Sequence, residues 1–125
     1  MPATFTYPSA DGTPVTAYRW DTGGPPRAIV QLTHGMGEHA RRYDHVALAL
    51  TQAGYVVYAQ DHRGHGASVG SASPGDIGAD GWLALVADIG GLTTVARAEH
   101  PDIPVILLAH SMGSFAAQQL SLIHI

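Results

Sequence analysis

Three short apolar runs punctuate the chain: AIVQLTHG (Ala28–Gly35), YVVYAQD (Tyr55–Asp61) and VILLA (Val105–Ala109). Each gives way at its C-terminal end to histidine, glycine or charge, and runs this continuous suit strands buried on both faces. Between them the period changes. Tyr43, Val46, Ala47 and Leu50 fall on one helical face, and Gly54 stands where a helix-terminating glycine belongs. Trp82, Leu85, Val86, Ile89 and Leu92 form a second face, in a helix predicted from about Asp80 to Glu99. Gly90 and Gly91 weaken that helix by roughly 1 kcal/mol each relative to Ala, and Pro101 and Pro104 enforce its end. A third helix is expected from Met112. Ahead of these elements, TFTYPSADGTPVTAYRW reads as two short strands around an Asp11–Gly12 turn, and TGGPP (Thr22–Pro26) as a loop. Strand–helix alternation with strands this apolar predicts an α/β fold, a mostly parallel sheet with helices on both faces.

Composition narrows the function classes. The 125 residues fit one domain, and 46% of them are apolar, a globular composition. A net charge of −4, with six Arg and no Lys, argues against a nucleic-acid partner, which needs a basic stripe. Without cysteine there is neither a disulfide framework nor thiolate chemistry. The first residues, MPATFTYPSADGT, lack the basic start and apolar run of a signal peptide, and no apolar stretch approaches the ~20 residues of a membrane span. A soluble, cytoplasmic location is expected.

In sheets of this kind ligands gather beyond the carboxyl ends of the strands. The apolar strands end in His34-Gly35-Met36, in Asp61-His62-Arg63-Gly64 and in His110-Ser111-Met112, so unusual clusters converge on one sheet edge. Ser111 is the leading candidate. Ala109-His110-Ser111-Met112-Gly113 has the small-x-Ser-x-small form of a nucleophile elbow, in which serine occupies a strained strand-to-helix turn and small neighbours avoid collision across it. Such a turn aims the Met112 amide at the reaction centre, near a helix N-terminus that favours negative charge. The plainer reading of Ser111 is a helix N-cap. His34-Gly35-Met36-Gly37 offers the complement: two glycines let the backbone turn back, and the Met36 amide completes an oxyanion hole. Its plainer reading is a strand-to-helix turn that needs glycine.

The histidines His34, His39, His45, His62 and His65, with Asp61 near, raise the question of a metal. The chain has no His-Glu-x-x-His helix and no His-x-His pair on a strand, so no metal and no cofactor are expected. His62 and His65 are read instead as hydrogen-bonded to backbone around Arg63 and Gly64. His110 points to the opposite strand face from its neighbour and is read as a packed, site-supporting histidine. The Met36 and Met112 side chains are gap fillers or substrate contacts.

HGMGEHARRY, DHRGHGAS and LLAHSMGS, in this order and spacing, resemble the α/β-hydrolase superfamily, and within it the monoacylglycerol lipase and lysophospholipase-like serine hydrolases, which share a domain type with serine aminopeptidases. The likeness runs from Thr4 to Gln119, and Glu38-His39 after the glycines favours the glycerolipid-type branch. It implies Ser111 as nucleophile, the Met36 and Met112 amides as oxyanion hole, and a mainly structural role for DHRGHGAS. His34, Gly35, Gly37, His110 and Gly113 support the site. Ala109 and Ser114 stand where glycine is common in the family. The implied activity is hydrolysis of a carboxylic ester with a hydrophobic acyl group, a monoacylglycerol or lysophospholipid, through an acyl-enzyme. The implied partners are that small-molecule ester or lipid and, through a substrate-covering cap, the periphery of a membrane. Peptidase, thioesterase or carbon–carbon bond hydrolase chemistry would use the same half-site. A non-catalytic ligand-binding module and a metallohydrolase are the readings from other classes.

An elbow serine needs a general base, and the base an orienting acid; in this superfamily both follow the serine. After Ser111 the sequence has no Asp or Glu, and its later histidine, His124, would lie about 20 Å along a continued helix. Residues 1–119 are therefore read as the N-terminal part of an α/β-hydrolase domain, inactive by itself. Residues 120–125, LSLIHI, are what CTGTCTCTTATACACATC encodes, a transposon end used in sequencing libraries, and are expected to be non-native. With no later strand beside it, VILLA would become a sheet edge, which predicts poor solubility or partial folding.

Overall fold

Asp11 and Gly12 turn the chain between β1 (Ala3–Pro8) and β2 (Pro14–Trp20), an antiparallel hairpin running in register from Ala3 opposite Arg19 to Pro8 opposite Pro14. The structure is a computed structural model that describes residues 1–69, 75–78 and 81–123. The apolar runs become β3 (Ala28–Thr33), β4 (Tyr55–Gln60) and β5 (Val105–Ala109). The helical faces become α1 (Asp44–Gln52), α2 (Gly81–Glu99) and α3 (Met112–Ile123). Asp80, where the second helix was expected to begin, and His124 lie outside the described residues. Short 3-10 turns at Ala40–Tyr43 and Gly66–Ser68 follow β3 and β4.

The sheet order is β1-β2-β4-β3-β5. β3 runs parallel to both β4 and β5, while β2 meets β4 antiparallel. This mixture follows from the connections. A tight hairpin can join only antiparallel strands, whereas α1 and α2 are the crossovers that parallel neighbours require. Strand alternation then sorts the core into two faces. Val30, Leu32, Val57 and Ala59, with Tyr18 and Trp20, pack against Ala47 and the predicted face of α1. Ile29, Val56 and Tyr58, with Tyr7, Val15 and Ala17, pack against Leu92 and Ala96 of α2. On this second face Leu85, Val86 and Ile89 of α2 also meet Ala116 and Leu120 of α3. Helices cover both faces, as the pattern predicts.

β5 takes the edge position expected of VILLA and is less buried than its apolar run alone suggests. It pairs with β3 alone, at the edge of the sheet, and α2 and α3 cover one of its faces. Ile106 and Leu108, on the other face, are 47% and 42% exposed. Among the described residues, no helix is long and apolar enough to cross a membrane.

Candidate active site

Register assembles the site. Thr33 pairs with Ala109, and Leu32 with Ala59, so β3, β4 and β5 end at one level and deliver His34, Asp61 and His110 side by side. The ladder gains one more rung where the His110 amide donates to Thr33 O (3.1 Å). The chain then turns sharply into α3. Ser111 has φ 55°, and among the described residues no other non-glycine residue has positive φ. That region is costly for a residue with a Cβ. Ser111 is exposed, and its carbonyl accepts the first helical amides, those of Ser114 (2.9 Å) and Phe115 (3.3 Å). An N-cap serine has extended backbone and commits its hydroxyl to the first turn. Ser111 has left-handed backbone, and its hydroxyl bonds nothing among the described residues.

Close approach at two glycines explains the small residues of the motif. A Cβ on Gly113 would stand 2.4 Å from His34 O and 2.6 Å from Thr33 O, so α3 rests its first turn directly on the end of β3. A Cβ on Gly35 would meet Ser111 Cβ at 3.2 Å and Glu38 Oε1 at 2.9 Å. Gly35 opens a turn closed by the Glu38 amide donating to its carbonyl (3.3 Å), with Met36 and Gly37 (φ 74°) at the tip. Met36 is 64% exposed. Among the described residues, the Met36 and Met112 amides have no acceptor.

Glu38 organises this corner. Its Oε1 accepts the Gly35 amide (2.7 Å), the Tyr43 hydroxyl (2.7 Å) and His110 Nδ1 (3.3 Å), and its Oε2 pairs with Arg42 (3.3 Å). The Tyr43 hydroxyl foremost, with the Gly35 amide, His110 and Arg42, holds the carboxyl down at about 2. Burial, reinforced by Glu38, pushes Tyr43 up to about 12. His110 is therefore not the packed histidine expected. Its side chain is 67% exposed on the uncovered face of an edge strand, tied only to Glu38 among the described residues.

His34, His62 and His65 are buried and spent on backbone, whereas His39 and His45 are exposed. His34 Nδ1 meets Gly35 O (2.7 Å) and its Nε2 accepts the His62 amide (2.9 Å). His62 Nε2 meets His34 O (2.8 Å), and His65 Nδ1 meets Arg63 O (3.1 Å), as read for these two. Burial pushes His34 below the ordinary histidine value, and pushes His62 down to about 3 with help from His34. Among the described residues no group of three or more His, Cys, Asp or Glu is arranged to hold a metal ion. Asp61 is a staple: its carboxylate accepts the Ala40 amide (2.8 Å), the Ala67 amide (2.9 Å) and the Tyr18 hydroxyl (2.8 Å).

This arrangement has relatives. Residues 24–124 match the family described as serine aminopeptidase, S33. The chain belongs to this family of α/β-hydrolases. It is 44% identical over 94 residues to a monoacylglycerol lipase of Mycolicibacterium smegmatis, covering 75% of this chain and 32% of the relative. With monoglyceride lipase of Rattus norvegicus it shares 35% over 105 residues, covering 84% and 33%. A thermostable carboxyl esterase from Bacillus coagulans, solved in complex with glycerol, superposes with a TM-score of 0.91 at 37% identity, covering 98% of this chain and 40% of that one. The chain thus spans about a third of the length of the curated relatives it matches.

Two features of the structure are not legible from the sequence motifs. In the sequence Glu38 marks only the glycerolipid branch; in the structure it ties Gly35, Tyr43, Arg42 and His110 together. The resemblance gives DHRGHGAS a structural role without naming one for Arg63, which is buried and grips Asp88 of α2 with Nε (2.6 Å) and Nη2 (2.9 Å), while Nη1 reaches Asp11 (3.0 Å). A signal existed. Asp88 follows Leu85 by three and precedes Ile89, so it lies on the apolar face of α2, where a carboxylate needs a buried cation.

Proposed function

We propose that this chain supplies the nucleophile and oxyanion hole of a serine ester hydrolase whose substrate is a monoacylglycerol or lysophospholipid. One observation carries the reading: Ser111 stands exposed in a left-handed bend between β5 and α3, against Gly35. In this mechanism Ser111 Oγ attacks the ester carbonyl and gives its proton to a general base. The Met36 and Met112 amides take the oxyanion, the protonated alcohol leaves, and water releases the acyl group from Oγ. The base and its acid belong to the two thirds of the relatives' length that this chain does not span. Exposed Met36 offers an apolar contact for the acyl group, and the names of the relatives favour a glycerol ester over other acyl substrates.

The test uses the product of the complete reading frame, treated with a fluorophosphonate probe and assayed on monoacylglycerols of graded chain length. Labelling and hydrolysis that both vanish in Ser111→Ala are expected. Retention of either in that variant, or loss of activity on chelation, overturns the assignment. The family's description as serine aminopeptidase favours one second reading, an acyl-enzyme peptidase on the same serine, which cleavage of aminoacyl amides in preference to glycerol esters would establish.

A further inference from the structure

The carbonyl that opens the loop carrying the Met36 amide is gripped by a buried imidazole. His34 is buried where β3 ends, its ring 4.0 Å from the His62 ring and 5.4 Å from that of His65. Its Nε2 accepts the His62 amide at 2.9 Å, so that nitrogen carries no proton. The ring proton is then on Nδ1, which donates to Gly35 O at 2.7 Å. The same carbonyl also accepts the Glu38 amide at 3.3 Å. Gly35 O and the Met36 N–H belong to one trans peptide unit, where they lie in a plane and point in opposite directions. Whatever pins the carbonyl therefore aims the amide.

We infer that His34 is a positioning residue: fixed as the Nδ1–H tautomer by the His62 backbone, it locks the Gly35–Met36 peptide and so keeps the Met36 amide aimed at the developing oxyanion. This rests on the oxyanion role given to Met36 above. Preorganisation is what such a donor must have, because an amide that reorients during the reaction forfeits its advantage. Imidazole suits the task because its neutral ring donates at one nitrogen and accepts at the other, and burial keeps the ring neutral. Asparagine can reproduce the Nδ1 donor and glutamine the Nε2 acceptor, but neither reproduces both.

That difference makes the test, again on the product of the complete reading frame. In the wild type, nitrogen-15 shifts of the His34 ring should report the Nδ1–H tautomer; an Nε2–H ring overturns the inference. His34→Gln should lower kcat about 100-fold with KM within about twofold, the loss expected when an oxyanion donor is misaimed. His34→Asn, which keeps the donor to Gly35 O, should recover kcat to within about tenfold of wild type. Glutamine performing as well as asparagine, or a loss confined to KM, sinks the idea. Should neither variant fold, phosphonylation of wild-type Ser111 decides: the Met36 amide resonance must move downfield while the His34 tautomer stays unchanged, and a stationary Met36 amide overturns the inference. Hydrolysis surviving in Ser111→Ala would instead strike the nucleophile reading, leaving the tautomer result intact.

Discussion

Gly113 has no room for a methyl group. Its Cβ would fall 2.4 Å from His34 O and 2.6 Å from Thr33 O, both backbone atoms that cannot swing aside. Gly113→Ala should therefore cost about 2 kcal/mol in urea unfolding, as overpacking does, while Gly23→Ala, with nothing within 4 Å, should stay within about 0.5 kcal/mol. Equal costs would mean that α3 does not rest on β3 as described. The buried rings give a pH dependence with a definite sign. His34 and His62 sit below the ordinary histidine value in the folded state, His62 at about 3, whereas an unfolded chain takes up its protons near 6.5. The unfolded state binds more protons in that window, so stability must fall as pH falls from 6.5 toward 3. Asp61 and Glu38 are the carboxylates that face the cluster. Glu38 adds a loss of the same sign lower down, between its ordinary 4.5 and about 2. Thermal melts should show Tm dropping between pH 6.5 and 5, before carboxylates titrate; a flat Tm there would mean that the rings protonate in place. At this scale the bend at Ser111 and the close approaches at Gly35 and Gly113 are legible in the sequence, because a motif of small residues encodes close approach directly. The sequence is a poor guide to His110, whose exposure depends on what lies across the sheet.

At the scale of elements, Arg63 and Asp88 fasten the crossover helix α2 to the end of β4 through a two-bond grip with Asp88 almost wholly enclosed. Removing one partner strands a charge in the interior. Arg63→Ala should destabilise by about 3–5 kcal/mol, and Arg63→Met combined with Asp88→Leu should recover much of that loss. Denaturant titration checks both, and an Arg63→Ala cost under about 1 kcal/mol would show that Asp88 relaxes to solvent. The elements themselves were legible: each apolar run and helical face appears within a residue or two of its predicted bounds, because periodicity records burial. The sheet's mixed character was legible only in part. The Asp11–Gly12 hairpin announced one antiparallel pair, but nothing local told β2 to lie against β4. The composition of VILLA suits a central strand, and its edge position follows the expectation that no later strand lies beside it.

For the whole molecule, the uncovered face of β5 is the most consequential surface. Ile106 and Leu108 stand beside an unpaired strand edge, and Phe115 is exposed on the adjoining helix. Apolar edges recruit further strands. The 125-residue chain should sediment as concentration-dependent oligomers, and Leu108→Lys should shift it toward monomer. A monomer with a cooperative thermal transition before any substitution would count against this.

The pairing of β3 with β5 also sets a schedule. Thr33 and Ala109 are about 75 residues apart, the longest closure in the sheet, and contacts of such high separation are slow to form. Every other strand can find its neighbour sooner, so the corner that carries Ser111 should be the last to come together as the chain folds. In a pulse-labelling experiment the His110 amide proton, bonded to Thr33 O, should be among the latest to resist exchange.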